Sequence, residues 1–201
     1  MIKLLSPFRA LLIALMSVSL ACNFLTGAGG SNNEPTAPPI IEVTDQPPAE
    51  PDAQVLRQWA KSAVASSEYG PESWGAKQAT GAPNVNECGD NGLAWASESS
   101  NSVEEWIELT YAVPVVPTEI TVYQSYNPSQ VVEVDVITAG GVLYPIWIGT
   151  PKLVAGCPNQ LTLPVELEDA IAIQKVRVVI DQSMLDTSWN EIDAVELVGK
   201  P

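Results

Sequence analysis

Alternation of apolar and polar residues with a period of two runs through the second half of this chain, and it fits strands rather than helices. Glu105 to Tyr111 reads EWIELTY, with Ile107 and Leu109 on one face. Glu119 to Gln124 alternates likewise, and Val132, Val134 and Val136 oppose Glu133 and Asp135. Leu161 and Leu163, then Val176, Val178 and Ile180, continue the pattern, and a last run from Asp193 to Val198 stops at Gly199. Successive strand side chains point to opposite faces, so each run offers one apolar face for burial. The runs are separated by Pro, Gly and Asn, the punctuation of antiparallel connections. They predict an all-β domain, an antiparallel two-sheet β-sandwich (a jelly roll) of about eight strands. Only Ala53 to Ala65 reads as the start of a helical turn, with Val64-Ala65-Ser66 as an alternative first strand. No internal repeat is evident, so residues 55–201 read as a single domain.

The beginning of the chain follows different rules. Met1 to Arg9 carries two positive charges, Lys3 and Arg9, and Ala10 to Leu20 is an unbroken run of apolar and small residues. A basic stretch followed by an apolar run too short to span a bilayer reads as an export signal. The run ends in VSLAC at Cys22, which resembles the bacterial lipobox, with Ser19 where a leucine is usual. That resemblance implies a signal peptide of residues 1–21 and a diacylated Cys22 holding the protein on a membrane. The other reading is an ordinary cleaved signal. Residues 22–54 form a linker: between Gly27 and Ala53 stand six prolines and several glycines, with too little apolar surface for a core. Extended, it would hold the domain up to roughly 80 Å from the membrane.

Charge and cysteine usage agree with export. Residues 1–21 hold two of the nine basic residues and no acid, leaving seven basic side chains against 24 acidic ones. Such a surface repels phosphate backbones and argues against nucleic-acid binding. With Cys22 assigned to lipid, Cys88 and Cys157 remain as an even pair suited to a disulfide, the alternative being two free thiols. The chain has no histidine, which removes Ser-His-Asp and Cys-His catalysis and the usual zinc ligand sets.

Two segments concentrate recognition chemistry. Ser66 to Ala96 is long and irregular and carries Glu68, Tyr69, Trp74 and Trp95, and Ser188-Trp189-Asn190-Glu191 leads into the last run. Aromatic faces at loop tips, beside a few placed polar groups, suit a small polar ligand such as a sugar. The candidate contacts are Tyr69, Trp74, Trp95, Tyr126 and Trp189, with Trp147 also beside a loop, and the polar partners are Glu68, Asn127 and Asn190. For each aromatic the alternative is core packing, and Trp106 and Tyr123 read as packing outright.

Together ASSEYG…SWGAKQATGAPN…CGD…LAWA, EEWIEL, VYQSYNP and WNEIDAVELVG resemble the galactose-binding-domain-like jelly rolls, which include discoidin-type domains and many carbohydrate-binding modules. The resemblance spans most of residues 60–199. It implies a structural calcium between the early loop and the last strand, held by Asp90 and Asp193; the alternative is that both acids cap loops. The expected function is a non-catalytic, lipid-anchored module outside the cytoplasm that binds extracellular carbohydrate. The alternatives are docking of an envelope protein and, less favoured, glycoside hydrolysis by carboxylate pairs such as Glu104/Glu105 or Glu191/Asp193. The sequence says nothing of oligomeric state.

Overall fold

The computed structural model describes residues 54–100 and 104–201. The expected signal peptide, Cys22 and all but the end of the linker lie outside the described residues. Eight strands form: β1 (Leu56–Trp59), β2 (Ser62–Ala65), β3 (Glu105–Tyr126), β4 (Val131–Thr138), β5 (Leu143–Ile148), β6 (Asn159–Pro164), β7 (Ile173–Ile180) and β8 (Glu191–Lys200). Every pairing is antiparallel. One sheet runs β1-β8-β3-β6; the other runs β2-β3-β7-β4-β5. The expected two-sheet sandwich is present. Its core is filled by Ile107, Leu109, Ile120, Val122, Val134, Val178, Ile192 and Leu197, all fully buried.

Strand β3 belongs to both sheets. Its first half pairs with β2 and β7, and its second half with β8 and β6. The ladder to β7 breaks between Thr110 and Val115, around Ala112-Val113-Pro114. Ala112, Val113 and Pro114 are exposed, and side chains partner backbone groups of this stretch. Gln58 supplies one set: its Nε2 donates to the Val113 carbonyl at 2.7 Å, and its Oε1 accepts from the Val113 N–H at 3.1 Å. Gln174 donates to the carbonyls of Tyr111 and Ala112 at 2.9 and 3.2 Å. Two glutamine side chains thus stand in for a neighbouring strand. The buried Tyr111 hydroxyl donates to the Val195 carbonyl at 3.2 Å, tying β3 to β8 through the core. Gly199 is required beside this corner, because a Cβ there would lie 2.4 Å from the Val116 carbonyl oxygen.

One sequence expectation is corrected. The helical turn expected within Ala53–Ala65 is instead β1 and β2, because distant β8 and β3 supply the backbone partners. Leu143–Ile148 is a strand despite Pro145, since β5 ends its sheet and one missing N–H is tolerated at an edge. Cys88 and Cys157 are bridged, with Cα atoms 4.9 Å apart across a separation of 69 residues. Such a cross-link stabilises by roughly 4 kcal/mol in the chain-entropy model.

If Gln58 holds the corner, Gln58→Ala lowers stability by about 1–2 kcal/mol. In urea denaturation the midpoint falls while the slope is unchanged; an unmoved midpoint would show that water serves the corner equally well.

Candidate ligand-binding site

The segment between β2 and β3 folds over β8, whose residues Glu191 to Gly199 are all buried. Three contacts fix it there. Trp95 forms an isolated antiparallel bridge with Ile192, its N–H donating to the Ile192 carbonyl at 2.8 Å and its carbonyl accepting from the Ile192 N–H at 3.0 Å. Asp193 accepts from the backbone N–H groups of Asn84, at 3.0 Å, and Val85, at 3.1 Å. Glu191 accepts from the Asn91 N–H at 3.1 Å. Two carboxylates spaced two apart on β8 therefore seize two turns of the same loop.

This docking builds a small cleft of about 70 Å³ lined by Tyr69, Trp74, Asp90, Ala96, Tyr126, Trp189 and Glu191. The Tyr69 ring stands edge-on to Trp74, with centroids 5.3 Å apart, and edge-on to Trp189 at 5.4 Å. Such edge-to-face pairs hold their rings in fixed orientation. Trp74 sits at φ +60°, a left-handed conformation that a bulky residue avoids. Its surroundings enforce it: the Trp74 N–H donates to the Gly92 carbonyl, its own carbonyl accepts from Ala96, and its indole N–H donates to Asp90 at 2.8 Å. Strain held this way is characteristic of binding sites. The Trp189 indole N–H donates to the Ser97 carbonyl at 3.0 Å. Tyr69 remains 53% exposed, so the cleft opens to solvent.

Of the residues expected to contact a ligand, Tyr69, Trp74, Tyr126 and Trp189 meet here, while Trp95, Asn190, Glu68, Asn127 and Trp147 do not line the cleft. Trp95 is wholly buried in the core, its indole N–H donating to the Ser67 carbonyl, because its backbone is committed to β8. Asn190 is also wholly buried; its amide donates to the carbonyls of Tyr126 and Asn127 and so pins the turn beneath Trp189. Glu68 accepts from the Ala76 N–H at 2.9 Å and holds the short 3-10 turn Ala76–Ala79. Asn127 supports Trp189 from behind, donating to its carbonyl at 2.7 Å. As expected, Trp106 and Tyr123 pack, one under Arg177 at 4.5 Å and the other against Trp59.

The acids are arranged differently from the expectation. Asp90 lies in the cleft, yet its carboxylate partner is Glu191 rather than Asp193, whose oxygens serve Asn84 and Val85. No group of three or more acidic, Cys or His side chains gathers among the described residues. Burial pushes the Glu191 carboxyl up to about 8; the Asn91 N–H opposes this and the nearby Asp90 adds to it. Burial also raises Asp193. The sequence had weighed Glu191 only as half of a catalytic pair; its spacing from Asp193 on β8 was the signal for its loop-holding role. Glu191 and Asp193 spend their oxygens on backbone amides, and Glu105 lies against the Ser66 hydroxyl.

Comparison with known proteins now adds a family. Residues 50–201 match the profile described as PAPPA: Pappalysin-1, SD scarf domain, C-terminal. The chain belongs to the pappalysin-1 SD scarf domain family. No curated protein matches it. Among solved structures, this SD scarf domain is similar to chitosan-binding module 1 of a chitosanase/glucanase from Paenibacillus sp. IK-5. The identity is 17%, over 70% of this chain and 96% of that one, with a TM-score of 0.52. A family 32 carbohydrate-binding module from Clostridium perfringens, solved with glcNAc-alpha-1,4-galactose, is 12% identical over 70% of this chain and 90% of its own, at a TM-score of 0.52. XRCC1, solved bound to the DNA pol beta catalytic domain, is 15% identical over 73% and 100%, at a TM-score of 0.57. These likenesses show that the SD scarf domain has the galactose-binding-like jelly-roll fold.

The Glu191 carboxyl gives this domain a signed pH dependence. Its folded value of about 8 exceeds its ordinary 4.5, so the folded state holds a proton that the unfolded state releases. Its contribution to stability is complete below about 4.5 and is lost as pH rises through about 8. Asp135, pushed up to about 7 by burial and then by Glu133, acts in the same direction. In metal-free buffer the melting temperature should therefore fall from pH 5 to pH 8, and Glu191→Gln should flatten part of that fall. An identical slope in the variant would remove Glu191 from the account.

Proposed function

We propose that this domain is a non-catalytic carbohydrate-binding module, with Tyr69, Trp74, Tyr126 and Trp189 forming the sugar platform. The observation that carries the reading is the cleft itself: aromatic rings locked edge to face, open to solvent, beside the exposed Asp90 carboxylate. Apolar ring faces with a few fixed polar groups are what a sugar needs, since it presents C–H faces and hydroxyl edges. The similarity to a chitosan-binding module and to a module solved with a disaccharide supports it. Hydrolysis is disfavoured because Glu191 and Asp193, one of the carboxylate pairs weighed for it, accept from the loop N–H groups of Asn91, Asn84 and Val85. A protein partner is the second reading, favoured by XRCC1, which has this fold and is solved bound to another protein. Trp189→Ala should reduce sugar affinity about tenfold or more in calorimetry while the domain stays folded. Unchanged sugar affinity would move the platform elsewhere, and binding to no glycan of a broad panel would favour the protein partner.

The same module is proposed to be displayed outside the cytoplasm by a lipid at Cys22, after removal of residues 1–21. Mass spectrometry of the mature N-terminus should find a diacylated cysteine; an unmodified terminus beyond Cys22 refutes the anchor.

Calcium is proposed at Asp90 and Glu191 with neighbouring loop carbonyls. The donor chemistry fits: both side chains offer hard oxygens, they face each other, and neither is ion-paired to Lys or Arg among the described residues. The ion would neutralise the buried Glu191 and the exposed Asp90 and tie the loop to β8. Roughly 1 mM calcium should raise the melting temperature at pH 8 relative to EDTA, and Glu191→Gln should abolish the difference. Equal melting temperatures for the unmodified protein would exclude the ion.

A further inference from the structure

Outside the aromatic cleft, two larger depressions adjoin each other. The first, about 450 Å³, is walled by Asn86 from the long loop, by Tyr123 and Ser125 of β3, and by Pro158. The second, about 270 Å³, is walled by Trp147, Thr150 and Lys152. Both are lined by Gln124, Asn159 and Gln160, so they run into one another across the start of β6.

The lining has a definite chemistry. Asn86, Asn159 and Gln160 are exposed, and their side-chain amides have no hydrogen-bond partner among the described residues. Gln124 is more telling, because it is only 2% exposed. Its Oε1 accepts from the Ser129 N–H at 2.9 Å and from the Asn190 amide at 3.4 Å, while its Nε2 donates to no acceptor among the described residues. That donor is not among the buried atoms left without a partner, so it reaches solvent and is open to an oxygen of water or of a ligand. Trp147 bounds the second depression with its ring laid against Gly149, where a Cβ would come within 2.2 Å of the ring. Tyr123 offers an aromatic ring in the first.

Charge narrows the ligand. The only acid in the lining is Asp193, already engaged by Asn84 and Val85, and the only base is Lys152. Four amides able to donate and accept, with an aromatic ring in each depression, suit an uncharged ligand rich in hydroxyls. The Cys88–Cys157 bridge ties the loop that carries Asn86 to the segment that carries Pro158 and Asn159, fixing both walls of the first depression. We propose that this groove binds a linear, uncharged polysaccharide along its length, as a site separate from the aromatic cleft.

The test is calorimetry of the oxidised protein with cellohexaose, chitohexaose and laminarihexaose, each against its own disaccharide. At least one hexasaccharide should bind roughly tenfold more tightly than its disaccharide. Gln160→Trp, which fills the groove from an exposed position, should abolish that gain without moving the melting temperature. Gly149→Ala, which displaces the Trp147 ring, should reduce it. Trp74→Ala should leave the gain intact, which separates this groove from the cleft. The proposal is overturned if hexasaccharide and disaccharide bind equally, if the folded protein binds none of the three hexasaccharides, or if Gln160→Trp leaves the gain unchanged.

Discussion

Everything in this domain hangs on one strand that turns a corner. Strand β3 supplies a central strand to each sheet, and the turn requires a stretch where no ladder can form. Backbone amides without partners would cost about as much as lost hydrogen bonds at each group. Gln58 and Gln174 remove that cost, and Tyr111 bolts the corner to β8. With β3 fixed in both sheets, β8 is fixed beside it. The face of β8 that presents Glu191 and Asp193 then becomes the floor on which the long loop docks.

The binding chemistry is a consequence of that docking. Glu191 and Asp193 hold successive loop turns through backbone N–H groups, and Trp95 closes the loop onto Ile192. The loop so held forces Trp74 into a left-handed conformation and sets Tyr69 between two tryptophans. The charge that accompanies this arrangement is expensive: two acids meet in a partly buried place, and one keeps its proton into the neutral range. A groove dominated by neutral amides lies nearby, sharing Asp193 through its lining and the disulfide through its walls.

The strands were legible in the sequence because period-two alternation is a local signal. Their joining was not. Pro114 and Pro117 made residues 105–111 and 119–124 read as two strands, whereas side chains from residues 58 and 174 carry the backbone through the break. The aromatics show the same limit. Trp74 and Trp95 stand in the same loop with similar neighbours, yet one lines the cleft and the other fills the core, because only Trp95 pairs its backbone with Ile192. The resemblance paired Asp90 with Asp193, whereas Asp90 lies beside Glu191 and Asp193 serves Asn84 and Val85. Which loop amides reach which carboxylate is set by tertiary register, not by spacing.

The central claim is that sugar binds against the rings of the aromatic cleft, and the indole N–H resonances test it directly. The chain has six tryptophans, so a titration with galactose-, glucose- and N-acetylglucosamine-containing oligosaccharides can follow each ring separately in a two-dimensional nitrogen–proton spectrum. The account requires that a bound sugar shift the Trp74 and Trp189 indole signals while that of buried Trp95 stays in place. A sugar that binds without moving either Trp74 or Trp189 would contradict it.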